Sequence, residues 1–198
     1  MAIINGCCGF GNSYTFVKNE NQYNFDVDAE NWANKNITDQ ASFNAALGVT
    51  TDAFVLNGRN IKANITSLSN NELNFNSYDL TNVNYITVEG LVRLNLETNK
   101  LREFNPIKKL PSTLEEINFF RNELRFFTPD FKLPSNVDYI NFSENDFTTI
   151  GYAASEVWAN LMYIAPTGGI IYFENNDNSV SGTNLESILV AKGWTVVA

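Results

Sequence analysis

The 198-residue chain contains no histidine. That removes the side chain that most often serves as a general base and most often ligates zinc or iron. Cysteine is nearly as scarce, with Cys7 and Cys8 the only two. A cysteine nucleophile here lacks a histidine partner, and a zinc site needs about four cysteine or histidine ligands. The pair reads as two reduced thiols in a turn between Gly6 and Gly9, with a strained vicinal disulfide as the alternative. No run of about 18 apolar residues occurs, so no membrane span is expected. The first eight residues lack a basic region followed by a long apolar one, so no secretory signal peptide is expected. Basic residues are few: 13 Lys and Arg stand against 22 Asp and Glu, a formal charge of −9. A partner of nucleic acid is normally basic, so nucleic-acid binding is disfavoured. Neither a glycine-rich phosphate loop nor a G-x-S-x-G elbow appears, and no cofactor is expected.

Apolar and aromatic residues are plentiful. Hydrophobic residues make up 44% of the chain and aromatics 13%, with 15 Phe and 8 Tyr, enough to bury a core in one domain or two small ones. Asparagine is the outlier, with 31 residues at recurring spacings. Leu91, Leu94, Asn95, Leu96, Asn99 and Leu101 reappear 23 positions later as Leu114, Ile117, Asn118, Phe119, Asn122 and Leu124. A second shift brings Val137, Ile140, Asn141, Phe142, Asn145 and Phe147 into register. Phe104/Phe127, Pro106/Pro129, Leu110/Leu133, Pro111/Pro134 and Ser112/Ser135 keep the same offset. This is a repeat.

The unit L-x-x-L-x-L-x-x-N-x-L resembles the leucine-rich repeat family. Weaker copies are read upstream at Leu73–Leu80 and Phe54–Ile61, and downstream at Ile171–Asn176, so the resemblance covers about 51–180. It implies an α/β repeat fold: a solenoid with a parallel β-sheet on its concave face and an asparagine ladder at Asn99, Asn122 and Asn145. Parallel strands are expected at Phe54–Leu56, Leu73–Phe75, Leu94–Leu96, Ile117–Phe119, Ile140–Phe142 and Ile171–Phe173. The prolines argue for extended rather than helical convex segments in two copies.

Residues 1–50 read as an N-terminal capping region. Tyr14–Val17 and Tyr23–Val27 alternate as a β-hairpin. Thr38 is then expected to cap a helix over Asp39–Leu47 that stops at Gly48. A further helix is expected over Ala153–Ile164. Residues 181–198 read as a C-terminal helical cap: Thr183 to Glu186 is a capping-box pattern, Gly193 the stop, and Trp194–Val197 a last strand. The carboxylates of Asp26, Asp28 and Glu30 lack the pattern of a calcium loop and read as a solvated strand end. The three glycosylation sequons, at Asn36, Asn64 and Asn141, carry little weight in so asparagine-rich a chain.

Alternation turns Arg93, Asn95 and Glu97 outward in one copy, then Glu116, Asn118, Phe120 and Arg121, then Tyr139, Asn141 and Glu144. In leucine-rich repeat proteins this face usually binds other proteins. Phe120, Tyr139, Arg93 and Arg121 are the residue types that dominate interfaces. The expected function is therefore a non-enzymatic protein-binding or structural module. A bacteriophage virion component, such as a capsid-decorating, tail or fibre protein in a larger assembly, is favoured. The high asparagine content, as in an AT-rich genome, and the lack of a visible signal peptide point that way. The alternative is a bacterial surface or secreted adhesion or effector protein. A catalytic domain beside the repeats is disfavoured, since it would need a reactive cysteine and far more chain outside them.

Overall fold

The computed structural model describes residues 22–106, 108–125, 133–147, 168–176 and 179–198. They form two sheets and two α-helices. Strands β1 (Phe25–Ala29), β2 (Val49–Asn57), β3 (Asn60–Leu68) and β5 (Leu80–Ile86) make an antiparallel sheet of order β2-β3-β1-β5. Strands β4 (Glu72–Asn74), β6 (Arg93–Asn95), β7 (Glu116–Asn118), β8 (Tyr139–Asn141), β9 (Ile170–Tyr172) and β10 (Thr195–Val197) make a parallel sheet in chain order. Helix α1 is Gln40–Leu47 and α2 is Asn184–Ala191. The parallel part is a repeat solenoid.

Two expectations for the N-terminal half are corrected. Phe54–Leu56 is not a repeat strand but lies in β2, paired antiparallel with β3. The reason is local: Gly58-Arg59 sits between two nine-residue strands, and Gly58 at φ +58° begins the two-residue turn that joins the paired Asn57 and Asn60. The solenoid sheet therefore starts at β4. In β1, Phe25, Val27 and Ala29 are buried, and β1 pairs with β3 and β5. Tyr14–Val17, like Cys7 and Cys8, lies outside the described residues. Helix α1 is capped by Asp39 rather than Thr38: its carboxylate accepts from the Ser42 amide at 2.8 Å, while the Ser42 hydroxyl accepts from the Asp39 amide at 3.0 Å. The Ser42 amide, then the Ser42 hydroxyl, which donates to the same carboxylate at 2.8 Å, hold the Asp39 carboxyl below its ordinary pKa. Gly48, at φ +63°, ends the helix as expected.

In the solenoid the register runs Leu73, Leu94, Ile117, Ile140, Ile171, Val196 across the sheet. The first five of these are buried, and no turn could cover them alone. One residue past the C-terminal end of each strand, Phe119 stacks on Phe142 (5.2 Å) and Phe142 on Phe173 (5.5 Å). At the other end Phe75 stacks on Phe25 of the antiparallel sheet at 5.5 Å. Strand β5 follows β4 and pairs with β1, so the first solenoid turn closes through the antiparallel sheet and both share one core. Between β6 and β7 the described residues form no helix, and Leu101, Phe104 and Leu110 are buried there. Phe127, Pro129 and the helix expected over Ala153–Ile164 lie outside the described residues.

At the C-terminal end Thr183 caps α2, its hydroxyl accepting from the Glu186 amide at 3.3 Å. The Glu186 carboxylate accepts from the Gly182 amide, one residue earlier than a capping box places it. Strand β10 then adds a sixth member to the parallel sheet. No helix among the described residues is long and apolar enough to cross a membrane.

Candidate functional site

Four of the six parallel strands, β4, β6, β7 and β8, leave the sheet by one path. The side-chain oxygen of Asn74, Asn95, Asn118 and Asn141 accepts from the amide two residues on, at 2.9–3.0 Å. Such short-range bonding is what asparagine does in turns. One residue later the backbone enters the left-handed region, at Ser77, Thr98, Arg121 and Glu144, with φ between +53° and +63°. Their amides still reach the next turn: Thr98 donates to the Phe120 carbonyl at 2.8 Å and Arg121 to Ser143 at 3.0 Å. The sheet ladder thus extends beyond the three-residue strands.

The next residue turns inward. Asn122 donates to the carbonyls of Leu96 (2.9 Å) and Phe119 (3.1 Å), and accepts from the Leu101 amide at 3.1 Å. Asn99 and Asn145 repeat the pattern, and Asn176 extends it with donations to Phe142 and Phe173. Asn99, Asn122 and Asn145 are buried. This column satisfies amides and carbonyls that water cannot reach, and it ties each turn to the one before.

The outer face of the sheet carries the residues singled out for binding. Arg93, Asn95, Glu97, Glu116, Asn118, Phe120, Tyr139, Asn141 and Glu144 are all half-buried, and Arg121 is exposed. They divide by what they touch. Asn95, Asn118 and Asn141 are committed to the turns just described, and Asn118 also donates to the Glu97 carboxylate at 3.1 Å. The arginines are paired between turns. Arg93 lies 3.6 Å from Glu72 and donates to the Asn70 carbonyl at 2.9 Å; Arg121 meets Glu144 at 2.8 Å and its guanidinium lies 5.4 Å from the Phe120 ring centre. Tyr139 packs on Tyr172 at 5.6 Å. Burial first, then the neighbouring Tyr172 and the carboxylates of Glu116 and Glu97, push the Tyr139 hydroxyl pKa up.

Ser143, which alternation turns outward, is buried, and its hydroxyl accepts from the Glu174 amide at 3.1 Å. Two residues of the surface were not anticipated: Ile170, 40% exposed, and Tyr172, which continue the columns of Tyr139 and Asn141. Applying the same alternation to Ile170-Ile171-Tyr172 would have found both. A notch of about 220 Å³ opens on this face beside Arg93, Asn95, Glu116, Asn118 and Tyr139.

Asp26 and Asp28 are not a solvated strand end. Asp26 is buried in the middle of the antiparallel sheet, where it accepts from the side-chain amides of Asn60 (2.7 Å) and Asn84 (2.9 Å) and faces Lys62 at 3.4 Å. Asp28 accepts from the same two amides at 3.1 Å. Donor groups fill the place a cation would take. Comparison with protein-family models, with curated proteins and with solved structures finds no match.

Proposed function

We propose that this chain is a non-enzymatic protein-binding module of the leucine-rich repeat type, with the outer face of its parallel sheet as the binding surface. The repeat type is supported by the L-x-x-L-x-L-x-x-N-x-L register and by buried asparagines that bond the turn before. One observation carries the binding role. Phe120, Tyr139 and Tyr172 stand partly exposed on a backbone fixed by an almost continuous ladder. Large aromatics held rigid at a surface bury much area at little entropic cost, which is what an interface core needs. The setting we propose with it is a bacteriophage virion, where the module joins other virion proteins or meets the host; co-purification with virus particles tests that narrower statement.

The binding surface is tested by a pull-down that compares Phe120→Ala with a deletion of residues 1–13. Loss of the partner on Phe120→Ala, by about 2 kcal/mol or more, is the expected result. Loss only in the deletion assigns attachment to the N-terminus and overturns the sheet-face reading.

A further inference from the structure

The outer sheet face has an uneven charge balance. Its two arginines, Arg93 and Arg121, are each taken by a glutamate of an adjacent turn. Glu97 and Glu116 remain without a cationic partner among the described residues. They stand on neighbouring turns, linked through Asn118, whose amide donates to Glu97 at 3.1 Å. Tyr139 follows Glu116 directly in the sheet register, and both carboxylates act on its hydroxyl. The notch of about 220 Å³ is lined by Glu116, Asn118 and Tyr139 together with Leu94, Asn95 and the Glu72–Arg93 pair. It combines the unpaired Glu116 carboxylate, a half-buried aromatic ring and a floor of half-buried asparagine, with Glu97 bound to Asn118.

We propose that the partner enters this face as an extended basic segment, with an arginine side chain seated in the notch between Glu116 and Tyr139 and the Glu97 carboxylate, held by Asn118, beside it. The inference rests on the sheet-face reading above and adds the chemistry of the partner. Arginine suits the site better than lysine, because a planar guanidinium can lie on the Tyr139 ring while its fork of donors reaches carboxylates. The surplus negative charge would also draw a basic partner in and reject an acidic one.

The test uses the full chain and three fluorescein-labelled twelve-residue peptides, in which serine alternates with arginine, with leucine or with glutamate. Anisotropy titrations at low and moderate salt compare wild type, Glu97→Gln/Glu116→Gln, and Glu89→Gln/Glu103→Gln, which removes the same charge from exposed positions off this face. The arginine peptide should bind wild type and the Glu89/Glu103 variant alike. It should lose about tenfold in affinity to the Glu97/Glu116 variant, the scale of two exposed charge pairs. Glu116→Gln alone, whose carboxylate makes no hydrogen bond among the described residues, keeps the test valid if the double variant misfolds; it should lose several-fold.

Absence of binding by the arginine peptide overturns the proposal. So does equal loss in both double variants, which would mean bulk charge, or equal binding of the leucine peptide, which would mean apolar contact. A partner protein retained by Glu97→Gln/Glu116→Gln but lost by Phe120→Ala would sink this inference while leaving the sheet-face reading intact.

Discussion

At the scale of the residue, two asparagines per turn, four positions apart, do different work. Asn122 is buried and makes four hydrogen bonds to backbone: it accepts from the Leu101 amide, and it shares the Leu96 and Phe119 carbonyls with Asn99 and Asn145. Asn122→Ala should lower stability by about 1–3 kcal/mol in chemical denaturation, because it strands buried polar groups without removing apolar packing. Asn118 faces outward, yet it accepts from the Phe120 amide at 3.0 Å and holds Glu97. Asn118→Ala should therefore cost about 0.5–1 kcal/mol rather than nothing, since the freed groups are partly within reach of water. Gly169 is a stricter case. A Cβ there would lie 1.8 Å from the Asp138 carbonyl oxygen, so the two turns can approach only with glycine between them. Gly169→Ala should lower stability by about 3 kcal/mol, at the upper end of ordinary overpacking, and a midpoint within error of wild type would contradict that contact.

At the scale of the element, the parallel strands were legible, and the pairing of the antiparallel ones was not. Leu94, Ile117 and Ile140 repeat at one offset because each occupies an equivalent place in an equivalent turn, so their position is written several times over. Phe54–Leu56 has similar alternation but no such redundancy. What decided its pairing was the Gly58-Arg59 turn, a local signal that a search for repeats passes over. The outer face followed from period-2 alternation, whereas the fate of its polar groups did not: that Arg121 meets Glu144 and Ser143 turns under Glu174 depends on neighbours 23 or more residues away.

The junction between the two sheets depends on charge. Asp79, at the entry to β5, lies 2.9 Å from Lys35 and 3.3 Å from Lys100, which also meets Glu30 at 2.6 Å. The Lys35 ammonium, then Lys100, holds the Asp79 carboxyl below its ordinary value of 3.8. A lowered carboxyl pKa means the folded chain takes up the proton less readily than the unfolded one. The stability it confers is present above about pH 4 and is lost as pH falls through the lowered value. Wild type should be more stable than Asp79→Asn to urea at pH 6, and the difference should narrow as pH falls below about 4. A difference independent of pH would mean that charge at Asp79 is not what joins the sheets.

At the scale of the whole molecule, one core runs from Phe25 and Phe75 in the N-terminal half through Phe119 and Phe142 to Phe173. A face built on such a core presents its side chains without having to order them on binding, and that preorganisation is what makes a modest aromatic surface effective. Hydroxyl-radical footprinting of the free and partner-bound protein, read residue by residue by mass spectrometry, tests this most directly. The account predicts that Phe120, Tyr139 and Tyr172 lose reactivity when the partner binds, while Val55 on β2 and Val190 on α2, 36% and 57% exposed, keep theirs. Unchanged labelling of the three aromatics with protection at Val55 or Val190 would place the partner elsewhere and contradict the account.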